Sequence, residues 1–315
     1  MAKRTKSRTK QRAQQLRRAY ELMRARFGHQ RWWPGETPFE VCVGAILTQN
    51  TSWTNVERAI ANLKSAGVLD ARKMFALPET KLAQLIRPAG YFNVKARRLR
   101  SFLHALVEEY DGELHRLFAG ETTAVRNRLL DINGIGPETA DCLLLYAGGH
   151  HSFVVDAYTK RIFSRHGWCS DDADYDSLKH LCESALSGRD AFQPRPKLLT
   201  GKMEMATRWN ASLPGSGGQC SNNSANSLPD PEHLLSRPAT TISSIQNGGE
   251  GRGEDVLRGS RVQDGNPNPA NFSSTQLDYW QDYHAQLVMV GKHHCRKREP
   301  RCQDCPLHPL MPSSK

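Results

Sequence analysis

The chain has 315 residues, with 43 Lys and Arg against 32 Asp and Glu and a formal charge of +11. That length supports a hydrophobic core in one large domain or two ordinary ones. No apolar run approaches the roughly 18 residues of a membrane span, and eight cysteines in such a chain do not make a disulfide scaffold. The positive balance points to a polyanionic partner, nucleic acid ahead of membrane. The charged N-terminus, with no apolar segment behind it, does not read as a secretory signal, so a cytoplasmic, nucleoid-associated location is expected.

Residues 1–18 hold eight basic residues (Lys3, Arg4, Lys6, Arg8, Lys10, Arg12, Arg17 and Arg18) and no acid. They are expected to form a disordered basic arm that attracts phosphate without reading sequence. Residues 19–187 are patterned for helix. Phe39, Val43, Ile46 and Leu47 follow the breaker Pro38 at helical spacing, Val56, Ile60 and Leu63 repeat it, and Leu99, Leu103, Leu106 and Val107 form another stripe. Asp70, Pro78 and Pro88 punctuate short helices between them. Ser152 to Val155 is the one short strand candidate, so the expected fold class is all-α. Residues 188–275 read as a low-complexity, disordered insert. Within 213–275, 32 of 63 residues are Gly, Ser, Asn or Pro and Phe272 is the sole aromatic, too little apolar area to offset ordering entropy. Residues 276–315 return to order, with Tyr279, Tyr283, Leu287 and Val290 on one helical face, followed by a cysteine-rich loop.

The first chemistry lies in Leu129 to Ala140. Gly134 and Gly136 flank Ile135 between two helices, and Pro137 suits a first helical position. Two glycines permit a tight hairpin and close approach of backbone N–H groups to an anion, and the following helix N-terminus adds partial positive charge. A bare G-x-G would read as an ordinary interhelical turn. The wider pattern through Thr139 and Ala140 favours a phosphate cradle, with Ile132 and Ile135 anchoring it to the core. One element later, Val154-Val155-Asp156 leads into a helix. Asp156 alone would be a capping aspartate, but beside a phosphate-docked hairpin its carboxylate could stabilise an oxocarbenium-like sugar and help activate water. Cys295, Cys302 and Cys305 have metal-ligand spacing rather than disulfide spacing.

Together these segments resemble the endonuclease III, or helix-hairpin-helix/Gly-Pro-Asp, superfamily of DNA glycosylases. The resemblance covers residues 32–168 and 276–305 and implies two helical domains with a DNA cleft between them, the insert interrupting the domain built from the chain termini. It implies that Gly134, Ile135, Gly136 and Thr139 bind duplex DNA carrying a damaged base, that Asp156 is catalytic, and that Gln49 and Asn50, in Ile46-Leu47-Thr48-Gln49-Asn50-Thr51, enter the duplex beside the extruded base. Gly90 to Ala96 matches a further family turn. In bifunctional members a lysine stands where this chain has Glu138. A carboxylate cannot form an imine, so hydrolysis without lyase activity is expected. Lys160 is a conceivable substitute amine, better read as a surface lysine. Cys295, Cys302 and Cys305 match three ligands of the family's 4Fe-4S loop, but Met311 stands at the fourth position, with His308 as an alternative nitrogen donor. Trp32, Trp33 and Trp53 fall where a base pocket could lie. Each could instead pack in the core, and an indole wall would favour a cationic, alkylated base. Tyr91 and Phe92 are a wedge or core residues, with core the better reading for Phe92. The alternatives are a bifunctional glycosylase/lyase and a non-catalytic damaged-DNA-binding protein. A monomer is expected.

Overall fold

The computed structural model describes residues 2–187 and 276–312, with side chains from residue 9 onward. The insert expected at 188–275 lies outside the described residues. Among the described residues the fold is helical and without strands, as the sequence pattern requires.

Helix α1 runs from Ala2 to Phe27, α2 from Pro38 to Thr48, α3 from Trp53 to Ser65, α4 from Ala71 to Ala76 and α5 from Glu79 to Leu85. Helix α6 spans Phe92–His104 and continues into a wider turn at Ala105–Glu109. Then come α7 (Leu114–Leu117), α8 (Thr122–Leu130), α9 (Pro137–Tyr146), α10 (Ala157–Arg165), α11 (Tyr175–Leu186) and, past the insert, α12 (Gln276–His293). Short polar caps set several starts. Thr37, Asp70, Asp156 and Asp174 each accept a bond from a backbone N–H in the first turn of the helix that follows, satisfying donors a helix leaves open at its N-terminus.

The helices fall into two packing groups sharing one core. Helix α2 packs on α3, α6 and α9, and α8 on α9, while α1 packs on α11 and α12, and α10 on α12. Helix α9 touches α12 and joins the groups. Helix α2 is the centre of the first group: every residue from Glu40 to Leu47 is buried. Burying Ile46 or Leu47 alone contributes roughly 1.5–3 kcal/mol. No helix among the described residues is long and apolar enough to cross a membrane.

Two expectations are corrected. The basic arm does not end at residue 18 as coil; helix α1 runs through it without a break. Leu16, Ala19 and Met23 recur at i, i+3 and i+7 and are fully buried, and the segment has no Gly or Pro to interrupt it. Ser152 to Val155 is extended but pairs with no strand. Two of its N–H groups turn to side chains of α11: Phe153 N–H donates to Glu183 at 3.0 Å and Val155 N–H to the Tyr175 hydroxyl at 3.5 Å.

The end of α1 is tied to α12. The buried Asp282 accepts from the Tyr20 hydroxyl at 2.7 Å and from Gln30 N–H at 2.8 Å. His29 stands 3.0 Å from Asp278. The hydrogen bond to Asp278 raises the His29 pKa, against partial desolvation, which lowers it. The folded value is above the unfolded one, so this contribution to stability is complete below the ordinary histidine value of about 6.5. It is lost as pH rises through the folded value. Thermal melts of the native chain should therefore lose more stability across that window than melts of His29→Gln. Parallel curves would remove His29 as the source.

Candidate active site and DNA interface

The hairpin forms where expected. Ile132 and Ile135 are buried beneath it, and Ile135 N–H closes it on the Ile132 carbonyl at 3.0 Å. Gly134 has φ of +91°, and a Cβ there would lie 2.4 Å from Cγ of Arg98. Only glycine meets both demands. Gly136 is the exposed N-cap of α9, with Pro137 at its first position.

Gln49 leaves the end of α2 and binds this hairpin. Its amide donates to the Gly134 carbonyl at 3.2 Å and the Thr139 hydroxyl at 2.9 Å, and its carbonyl accepts from Arg98. The buried Lys95 ammonium fixes the same corner by donating to the Leu47 and Ala89 carbonyls at 2.8 and 2.7 Å. Burial first, and the Arg98 charge second, push that lysine down to about 8. Asn50, next along, is exposed with φ of +56°. Thus Gln49, Gly134, Ile135, Gly136 and Thr139 share one corner of the molecule.

Asp156 caps α10. Its Oδ1 accepts from the Thr159 N–H at 2.7 Å and the Thr159 hydroxyl at 2.8 Å. Its Oδ2 faces His284 Nε2 of α12 at 3.7 Å. Burial pushes this carboxyl up, but His284 and Thr159 together outweigh it and hold it below the ordinary aspartate value. Glu138, in the first turn of α9, is exposed at the surface, yet its carboxyl is hemmed in by protein. That desolvation, and then the Asp156 charge, raise it, while His284 pulls it down. The site thus holds two carboxylates with opposite shifts.

The three tryptophans come together. Ring centroids of Trp32 and Trp33 are 5.5 Å apart, Trp32 and Trp53 5.9 Å, and Trp33 and Trp53 5.3 Å. Trp53 is buried at the back, bonded to Glu57, while Trp32 and Trp33 are half-buried. Gly44 lets them sit against α2, since a Cβ there would be 3.2 Å from the Trp33 indole nitrogen. Trp32, Trp33 and Tyr146 line an open pocket of about 240 Å³. Tyr146 also lies 5.6 Å from Trp33 and bonds His284 Nδ1 at 2.7 Å, so the aromatic cluster and Asp156 are linked through one tyrosine and one histidine.

Tyr91 and Phe92 part company: Tyr91 is 75 % exposed in a left-handed conformation, while Phe92 packs on the core. Lys160 is exposed, and its charge acts on Cys169 and Asp172.

Cys295, Cys302 and Cys305 lie on one C-terminal loop. The donor set does not fit a four-iron cluster, which needs four thiolates. Met311 at the fourth position is exposed, and among the described residues no three His, Cys, Asp or Glu side chains stand together to hold a metal. The loop is instead held by α10: Arg161 donates to the Cys295 carbonyl at 2.7 Å and Arg165 to the Arg296 carbonyl at 2.7 Å and Cys295 Sγ at 3.3 Å.

The sequence reading missed His284, Tyr146 and a buried network around Asp141. Asp141 is fully buried and accepts from Arg126 at 2.9 and 3.2 Å, the Tyr175 hydroxyl at 2.8 Å and the Ser152 hydroxyl at 2.6 Å. It ties α8, α9 and α11 to the extended segment that delivers Asp156. A single histidine on the buried stripe Trp280, His284, Val288, Gly291 was the one signal that could have marked position 284.

A helical scaffold with a phosphate-type hairpin and an adjacent capped aspartate defines a class of DNA repair protein, and comparison with known proteins bears this out. Residues 43–187 match the HhH-GPD superfamily of base excision DNA repair proteins. The chain is 51% identical over 168 residues to a Methanocaldococcus jannaschii protein named "Putative DNA repair glycosylase MJ1434", covering 53% of this chain and 76% of that one. It is 29% identical over 154 residues to endonuclease III of Thermotoga maritima, covering 48% and 68% of the two chains. A non-covalent endonuclease III–DNA complex has the same fold, with a TM-score of 0.58 at 17% identity over 95% of this chain and 94% of that one. The chain belongs to the HhH-GPD superfamily of base excision DNA repair proteins. Within it, the protein is a DNA glycosylase of the endonuclease III type.

Proposed function

We propose that this glycosylase is monofunctional and excises an alkylated, cationic purine from duplex DNA. The observation that carries the reading is the pairing of an ionised Asp156 with Glu138, a carboxylate, at the position where lyase members hold an amine. The hairpin at Gly134 to Gly136, with Thr139, Gln49 and Asn50 beside it, docks the backbone around the lesion. Tyr91, exposed on its turn, is placed to wedge the opened duplex. The extruded base meets the indole faces of Trp32 and Trp33, with Trp53 behind them, and a positive ring is held there by the aromatic quadrupole.

The bond from C1′ to the base nitrogen then breaks, and its electron pair leaves with the base. A ring already carrying positive charge departs neutral and needs no acid. Asp156 stabilises the positive sugar and accepts the proton of the water that attacks C1′, and the product is an intact abasic site. Lys160 is exposed beside Cys169 and Asp172, which argues against it as a substitute amine. No step runs through the C-terminal cysteine loop.

Duplexes carrying 7-methylguanine, an oxidised pyrimidine or no lesion, each read with and without alkali, test the proposal. Release of the methylated purine with scission only after alkali, and no borohydride-trapped crosslink, is the expected outcome. Scission without alkali, or a trapped imine, overturns the monofunctional reading. Release of only the oxidised pyrimidine overturns the base assignment.

A further inference from the structure

We infer that His284, contributed by α12 from beyond the insert, is the positioning residue of Asp156: its Nε2–H holds Oδ2 and aims that oxygen at the reacting sugar. The inference rests on Asp156 being the catalytic carboxylate.

The hydrogen-bond inventory leads to it. Tyr146 has one proton and two neighbours, the Gln281 carbonyl at 3.0 Å and His284 Nδ1 at 2.7 Å. If the tyrosine donates to Nδ1, a neutral ring must carry its own proton on Nε2. If it donates to the carbonyl, Nδ1 must be the donor to the tyrosine oxygen. A bare Nε2 would then present a lone pair to a carboxylate oxygen 3.7 Å away, a repulsive contact, so the geometry favours the first assignment, with the proton on Nε2. That atom is buried with no hydrogen-bond partner within ordinary range, and His284 is only 5 % exposed. The gap of 3.7 Å leaves no room for a bridging water, and a side-chain shift of about 0.5 Å makes it a direct bond. Thr159 already occupies Oδ1 twice, leaving Oδ2 as the oxygen free to serve the reaction.

Two carboxyl groups face the ring. Helix α9 presents Glu138 and Tyr146 to it, and the α10 cap presents Asp156. On α12 itself, Asp282 is engaged by Tyr20 and Arg24 of α1. Tyr146 also packs on Trp33, so a base entering the aromatic pocket presses on the tyrosine that orients the histidine.

The test uses the full chain and a duplex carrying 7-methylguanine, with rates corrected for spontaneous depurination. His284→Gln should lower the single-turnover rate about 10- to 100-fold while leaving duplex affinity unchanged. It should also change the pH profile. His284 favours the charged carboxylate, so without it the Asp156 pKa rises. The native rate should stay flat down to about pH 5, whereas the variant should fall as pH drops toward that value. A purely structural role would lower stability and leave the acid limb in place, and that result overturns the inference. Should His284→Gln fail to fold, ¹⁵N spectra of imidazole-labelled native protein decide the matter. A protonated Nε2 at neutral pH is expected, and a bare Nε2 overturns the inference. Asp156→Asn is assayed alongside. Full activity there would remove the catalytic reading itself, whereas an inactive Asp156→Asn beside a fully active His284→Gln with an unmoved limb would remove only the role of His284.

Discussion

Asp156→Asn should slow base release by about 10³-fold, within the range for removing an electrostatic or proton-accepting group from an active site. The substitution keeps the shape and one carbonyl oxygen. The Thr159 N–H and hydroxyl bonds at 2.7 and 2.8 Å can therefore persist, and the N-cap of α10 with them. What is lost is negative charge facing the sugar. The amide also presents either its NH₂ or its oxygen to His284, and neither restores the negative charge there. Binding to a lesion-containing duplex should be unchanged, because the hairpin, Gln49 and the tryptophans are untouched. The check is a single-turnover rate beside an equilibrium binding curve. A variant that binds and cuts like the native chain would leave the protein a lesion binder whose chemistry lies elsewhere.

The second large effect is on stability. Asp141→Ala should destabilise the fold by about 3 kcal/mol, at the lower edge of the 3–5 kcal/mol found when one member of a buried ion pair is deleted. The lower figure follows from the surroundings. Arg126 and Lys179 are only partly buried and retain Asp176 and Glu183 as second partners. The Tyr175 and Ser152 hydroxyls fare worse, since Asp141 is the acceptor that draws them into the interior. Denaturant unfolding of the two proteins measures the difference. Activity should fall as well, because the Ser152 to Val155 segment that carries Asp156 loses its tether. A change below about 0.5 kcal/mol, typical of a surface site, would show the network to be dispensable.

The local parts of the site could be read from the chain. The hairpin is written in adjacent residues, two glycines with a proline after them. Asp156 is marked by its place at a helix start one element after the hairpin. Both can be read within one short stretch of chain. What escaped depends on contacts between distant segments. The extended run before Asp156 looked like a strand because its composition suits one, yet its N–H groups are taken by Glu183 and Tyr175, side chains no local window contains. The N-terminal arm looked solvated because its charges outnumber everything else, while Leu16, Ala19 and Met23 decide its conformation. His284 was invisible as a partner of Asp156 because a long insert separates them in sequence. The three tryptophans, expected where a base pocket could lie, stand together, but which of them line the pocket and which lies behind it follows from packing around Gly44.

Helix α12 carries a consequence for synthesis. It supplies His284 to the site, Asp282 to the end of α1 and the surface on which α10 packs, and it is translated only after every other helix described here. A ribosome that stops within the insert releases a chain that carries the hairpin and Asp156 but lacks the helix that covers α10 and, alongside α11, part of α1. On the proposed reading, such a chain keeps the hairpin but lacks the group that aims the carboxylate, so the site is completed only once α12 has been made.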